Sequence, residues 1–394
     1  MTYKETLKHP IVAQLTLIQF LSYFGTWFSQ VAIASMLISY GASEIEISYI
    51  FIMIMLPAVL LAPISGWIID RFNFKKLIIS LLIVEIVMTA LFMTINSLDD
   101  LFWLMIFLFI RSSASSMIFS AEMALFPKIL KGEMLKNTNE IHSIVWSLCF
   151  AVGMAVGGVV TYYFSYDTTF SIDIILYLIA LIILLNIKLS LPTTKHTQNA
   201  LTMMRSGFKY LRNHKKLIHL ILIHASLGFT SFDTIVTLLA DFHYRYILAV
   251  PLAIGWINAS RAIGLTLGAM LFGKHVHQDN LHYFFVLQGV LIIGWALVQD
   301  HFYYSLLGML FVGLISTSLW SYSYYMIQNE IEELFLGRVI AYTDMIFMIT
   351  NILTILFIGY ASKLGMNISW ITTVIGVAFI ATGYYYLWFK KNYL

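Results

Sequence analysis

Twelve apolar runs, each of roughly 20 to 28 residues and long enough to cross a bilayer as a helix, follow one another along the chain. They read at about 11–38, 46–69, 75–96, 100–126, 138–163, 167–190, 216–240, 248–273, 281–299, 302–328, 338–361 and 366–389. Runs of this length leave little else to build with. The 394 residues are 60% hydrophobic and 11% charged, against about 25% charged in a soluble domain. The surplus apolar surface has to face lipid, so an all-α integral membrane protein with no large soluble domain is expected. No cleavable leader is expected, since the first run is long and no A-x-A-like site follows it. Cys149 is the one cysteine and lies inside a run, which excludes an intramolecular disulfide.

The net charge of +3 matters less than its placement. Putting both termini in the cytoplasm leaves Arg245 and Lys363 as the outer cations, with Arg111 and Arg261 inside spans and nearly every other Lys and Arg on the inner side. That bias is the positive-inside pattern. It predicts twelve spans in a cell membrane, with both ends cytoplasmic. The longest hydrophilic stretch, about 191–215, separates an amino-terminal half (1–190) from a carboxy-terminal half (216–394). Its second part, Met204 to Arg212, has the spacing of a basic amphipathic helix. The basic residues lack the clustering of a nucleic-acid face. There is no phosphate-cradling glycine loop, no metal-spaced His/Cys set and no nucleophile motif, so neither an enzyme nor a bound cofactor or metal is expected.

Between the second and third runs lies Gly66-Trp-Ile-Ile-Asp70-Arg71-Phe-Asn-Phe-Lys75-Lys76. It resembles the G-x-x-x-D-R-x-G-R-K/R signature of the major facilitator superfamily, with Asn73-Phe74 in place of Gly-Arg. Gln19-Phe-Leu-Ser-Tyr-Phe-Gly25-Thr-Trp27, Pro127-Lys-Ile-Leu130 with Leu135-Lys-Asn-Thr-Asn139, Asp173, and Gln328 with Leu336-Gly-Arg-Val339 resemble its macrolide-efflux and enterobactin-exporter branch. The segment Gly153-Met-Ala-Val-Gly157-Gly158 resembles the helix 5 signature of drug antiporters but lacks its proline. The resemblance implies two six-helix halves that rock about a central cavity. It assigns a conformational gate to Gly66, Asp70, Arg71 and Lys75, with Asp344 of span 11 placed near them.

The same resemblance puts helices 1, 4, 7 and 10 around the cavity, and each of these spans carries a polar stripe. Span 1 has Gln19, Ser22, Thr26, Ser29 and Gln30; span 4 has Arg111, Ser115 and Glu122. Span 7 has Ser226, Thr230, Asp233 and Thr237; span 10 has Thr317, Trp320, Tyr324 and Gln328. Polar groups facing lipid are costly and turn to a wet cavity or to another helix. Gln19, Thr26, Gln30, Arg111, Ser115, Asp233, Trp320 and Tyr324 are therefore the candidate cavity residues. Glu122, Asp233, Arg111 and Arg261 are the candidates for proton coupling. Depth counting brings Arg261 within reach of Asp233, either as a structural pair or as one that alternates. Glu85 reads as an inter-helix group and His224 as a packing residue. Gly153/Gly157 in span 5 and Gly264/Gly268 in span 8 are G-x-x-x-G pairs, expected where the halves meet.

The resemblance implies a secondary transporter, and with these residues the expectation is a monomer in lipid that uses protons to export an amphipathic drug-like or siderophore-like compound. A proton-symport importer of a polar or carboxylate nutrient, with Arg111 receiving a carboxylate, stays open, as does a non-transport receptor or scaffold on the same fold.

Overall fold

The computed structural model describes residues 2–187, 200–332 and 335–394, without the side chains of residues 63, 66, 67, 70, 200, 201 and 203. The gate candidates Gly66 and Asp70, as side chains, and the first part of the hydrophilic stretch (191–199) lie outside the described residues. Among the described residues every regular element is helical: α1 (Tyr3–Thr6), α2 (Pro10–Ser39), α3 (Glu44–Arg71), α4 (Phe74–Phe92), α5 (Leu101–Ile129), α6 (Gly132–Tyr163), α7 (Tyr166–Asn186), α8 (Ala200–Asn213), α9 (Lys215–Ala225), α10 (Asp233–Leu239), α11 (Val250–Phe272), α12 (Leu281–Val298), α13 (Phe302–Glu330), α14 (Leu336–Lys363) and α15 (Ile368–Tyr393). Local chemistry sets the ends. Pro10 stands in the first turn of α2, where its missing N–H costs nothing. Ser43 and Glu46 make a reciprocal capping box on α3. The Asn73 side chain accepts from the Lys76 N–H to start α4, with only Phe72 and Asn73 between it and α3.

Among the described residues eleven spans are long and apolar enough to cross a membrane. The helix α4 brings the number to twelve; its 19 residues include Lys75, Lys76 and Glu85, which lower its apolarity. One span is interrupted: α9 runs into a 3-10 turn at Ser226–Thr230, restarts as α10 and ends in a π turn at Ala240–Tyr244. The predicted amphipathic helix is α8. Its Ser206 hydroxyl accepts from Arg338 at 2.8 Å and its Tyr210 ring stacks on Phe335 at 4.2 Å, so it is docked on the start of α14 with Arg205, Lys209 and Arg212 exposed.

In the first half α2 packs on α6 and α7, while α5 packs on α3 and α4; in the second, α11 packs on α13 and α12 on α15. The halves meet along two helix pairs, α6 with α11 and α3 with α14. Here one expectation is corrected. Gly153 and Gly157 do not face the other half: they lie against Phe24, Trp27 and Phe28 of α2. Gly264 and Gly268 likewise lie against Leu310, Gly313 and Leu314 of α13. The physical reason is the helical turn of 100° per residue. Gly158, one residue on from Gly157, is the residue aimed across the divide. A Cβ there would collide with the Pro251 carbonyl, and a Cβ on Gly255 would stand 2.6 Å from the Met154 carbonyl oxygen. Spans 5 and 8 therefore touch backbone to backbone through single small residues.

These contacts sit at one face. Gly158 is near the end of α6, and Gly255 near the start of α11. Ser48, near the start of α3, fills the space over Gly359, near the end of α14, and the Tyr49 and Tyr360 hydroxyls are 3.4 Å apart. Burial along α3 runs out beyond Pro57, with Leu60, Ile64 and Phe72 exposed. The molecule is closed on the face opposite its termini and opens toward the face that carries them. Cys149 is sealed inside the first half, 3.5 Å from the Phe20 carbonyl oxygen.

Gly158→Leu is expected to push α11 off α6 and loosen the closed face. Faster hydrogen–deuterium exchange at amides 44–51 and 250–257 would register it. Gly157→Leu is expected instead to disrupt α2 against α6, lowering the melting temperature through an overpacking cost of about 1–3 kcal/mol.

Candidate functional site

The first half encloses a polar core around Arg111. The guanidinium is 4% exposed, and one of its nitrogens serves three oxygens: Asp173 Oδ2 at 2.6 Å, Ser29 Oγ at 2.9 Å and the Tyr177 hydroxyl at 3.0 Å. Ser29 also donates to Asp173 at 2.6 Å, and Thr26 and Tyr177 share a hydrogen bond of 2.9 Å. The rings of Phe92 and Tyr177 flank the cation at 5.4 and 5.7 Å, a favourable placement for a desolvated charge. Gly25 is needed because Asp173 lies directly on it; a Cβ there would collide with the carboxylate. A buried charge survives in lipid when it is paired and hydrogen-bonded, and α2, α5 and α7 together meet that condition.

Two more carboxyls continue this core. Glu85 of α4 is fully buried beside Ser115, near Arg111, and neither of its oxygens has a well-formed hydrogen bond. Glu122 of α5 is 1% exposed and accepts from the Tyr23 hydroxyl at 2.8 Å, with Gln19 beside it. The His142 ring meets Tyr23 edge-on at 5.7 Å, and both of its nitrogens lack partners. Gln19, Arg111 and Glu122 thus point into the first half, where they are buried, Gln30 is buried too, and Thr26 and Ser115 are half-buried. Lys75 donates to the Leu185 and Ile187 carbonyl oxygens at 2.7 and 2.8 Å, so it caps the end of α7 within the same half.

The second half is built around the break in span 7. Gly228 sits in the 3-10 turn because α14 passes so close: a Cβ would be 2.8 Å from Asn351 N and 2.9 Å from the Phe347 carbonyl oxygen. Ser231 donates to the Asn351 side chain. The break frees carbonyls, and Arg261 takes one, donating to Thr230 O at 2.9 Å while lying over the Phe232 ring at 5.2 Å. Asp233 opens α10 near Arg261, but no hydrogen bond or ion pair joins them among the described residues, and Asp233 Oδ1 has no partner. Trp320 and Tyr324 stack at 5.0 Å on α13. The Tyr324 hydroxyl is within hydrogen-bonding reach of Asp344 on α14, whose side chain is exposed.

The sequence brought out Arg111 but not its partners. Asp173 and Tyr177 lie one turn apart on α7, and a depth count was the available signal. Arg111 is ten residues, about 15 Å, into α5, and Asp173 seven residues, about 10 Å, into α7 from the same face. An arginine side chain spans that difference. Among the described residues no group of three or more His, Cys, Asp or Glu could hold a metal ion.

Comparisons with known proteins agree with this architecture. The family model described as Major Facilitator Superfamily matches residues 15–274. The sequence is 24% identical over 289 residues to an uncharacterized MFS-type transporter, YfiS, of Bacillus subtilis, covering 71% of this chain and 67% of that one. It is 25% identical over 349 residues to macrolide efflux protein A of Streptococcus pyogenes, covering 86% of each. Among solved structures, the nucleoside transporter NupG superposes with a TM-score of 0.76 at 13% identity, covering 98% of this chain and all of that one. A bacterial homologue of the iron transporter ferroportin, in an inward-facing state, gives 0.74 at 14% identity over 97% of this chain and 99% of that one.

Breaking the buried pair should be costly. Arg111→Ala is expected to lower stability by about 3–5 kcal/mol by stranding Asp173. Adding Asp173→Leu to that variant should recover much of the loss, read as the melting temperature in detergent.

Proposed function

The chain belongs to the major facilitator superfamily, and on that premise we propose that this transporter is a proton-coupled exporter of an amphipathic, drug-like molecule. It is a multi-pass membrane protein and a carrier rather than an enzyme. In the proposed cycle the two halves rock about the contacts at Gly158 and Gly255. Cargo is taken up from the cytoplasm, the side to which the inner cations assign both termini. The monomer in lipid is the working unit.

The observation that carries the direction is the likeness to macrolide efflux protein A, which runs through 86% of both chains rather than one motif. The division of labour between the halves supports the rest. Glu122, which accepts from the Tyr23 hydroxyl with Gln19 beside it, and Glu85, which among the described residues has no well-formed hydrogen bond, sit inside the first half, Glu85 near the fixed Arg111–Asp173 pair. Buried carboxyls inside a membrane protein are typical of proton relays. Arg111 is held by Asp173 and acts as a fixed positive neighbour for Glu85. The second half offers an open, aromatic wall on α13 instead, suited to a bulky apolar cargo. Asp233 and Arg261, near each other but not bonded, are placed to respond when the break in span 7 moves.

Inverted vesicles test the reading. Erythromycin should accumulate in them when their interior is acid, and a protonophore should abolish the accumulation. Uptake into right-side-out vesicles driven by external acid would overturn the exporter direction. Glu122→Gln is expected to abolish gradient-driven accumulation while sparing exchange of labelled for unlabelled erythromycin without a gradient. Loss of both would assign Glu122 to cargo binding or folding instead.

A further inference from the structure

The wall of the second half carries a cluster that proton coupling does not use. His224 of α9 is completely buried, with ring centroids of Trp320, Tyr324 and Phe347 at 5.7, 5.2 and 5.7 Å. Its Nδ1 is 2.8 Å from Ser323 Oγ. The Ser323 hydroxyl also lies 2.8 Å from the Leu319 carbonyl oxygen and 3.2 Å from that of Trp320. Among the described residues the His224 Nε2 has no partner.

The direction in which this cluster faces follows from its neighbours. The back of the broken span is covered by α15: His219 is 2.5 Å from the Tyr385 hydroxyl, and Phe229 meets Phe379 at 6.0 Å. Trp320, Tyr324 and Asp344 gather on the other side, bridging α13 to α14 across α9. Trp320 is 43% exposed and the Asp344 carboxylate is exposed although it lies two turns inside α14. A carboxylate at that depth is not placed against lipid, so this face looks into the opening between the halves. Its chemistry is specific. Two stacked ring faces attract a cation through their quadrupoles, and one carboxylate supplies the opposite charge. Among the described residues no cation pairs with Asp344.

We propose that Trp320, Tyr324, His224 and Asp344 form a binding site for an amphipathic organic cation. The inference deepens the exporter reading by naming a ligand class, and rests on it for the claim that the occupant is cargo. Asp344 provides the charge, the Trp320–Tyr324 stack provides the apolar and cation–π surface, and the Tyr324 hydroxyl orients the carboxylate. Anions of the same shape are rejected by Asp344.

Equilibrium dialysis of the full-length protein in neutral detergent tests this with radiolabelled tetraphenylphosphonium and its anionic counterpart, tetraphenylborate. The wild type is expected to bind the phosphonium tighter than the borate. Asp344→Asn should weaken phosphonium binding by about tenfold and leave borate binding no weaker, Asp344→Glu should restore it, and Trp320→Ala should weaken it with Asp344 intact. Equal wild-type affinity for the two ions, an arm that needs no variant, would overturn the proposal. So would wild-type phosphonium affinity in a folded Asp344→Asn protein. If gradient-driven erythromycin accumulation persists while the phosphonium is not preferred, the site falls alone. If the phosphonium is bound as expected but erythromycin is never accumulated, the site stands and the exporter reading falls.

Discussion

The structure depends on a close approach between backbones. Lipid offers little hydrophobic reason for two apolar helices to associate, so packing distance decides which of them adhere. Gly158 against Pro251, and Gly255 against Met154, bring span 5 and span 8 together with nothing between them. Ser48 over Gly359 does the same for spans 2 and 11. Because these contacts are confined to one end of the helices, the halves part toward the other end. The opening, its polar content and its access from the terminal face all follow from where four small residues happen to lie.

Within that frame the halves spend their polar residues differently. The first uses them inward: Arg111, Asp173, Ser29, Tyr177 and Thr26 close on one another, with Glu85 and Glu122 in the same interior. Such a network ties α2, α5 and α7 to one another. The second half interrupts a spanning helix, frees carbonyls at its centre, and shows rings and a carboxylate to the opening. Discontinuous helices near the middle of the membrane are where carriers of this general kind build their binding sites, and the aromatic wall stands beside this one.

Much of the architecture was legible in the residues. Twelve apolar runs, the Asp70-Arg71 segment and the amphipathic stretch before Lys215 correspond to the spans, a short turn after α3 and the docked α8. Angular position was less legible. The G-x-x-x-G spacing correctly identified spans 5 and 8 as tightly packed, but period alone could not tell which neighbour each glycine meets. Gly157 and Gly158 differ by one residue and serve different halves. The same limit applies to the stripe on spans 1 and 4. Its polarity was evident, but Arg111 and Glu122 turn into their own half because Asp173, Tyr177 and Tyr23 wait for them there. Asp173 and His224 were visible as residues; their meaning lay in partners more than sixty positions away, which no local pattern reports.

The single thiol has a practical consequence. Cys149 is wedged against the Phe20 carbonyl with no exposed surface, so reagents arriving from water find nothing to react with in the native chain. A cysteine introduced on the Trp320 wall or at the mouth of the opening would then be the one reachable sulfur. The natural sequence serves as a blank background for labels, and the separation of the halves can be followed by spectroscopy without first stripping the protein of its own chemistry.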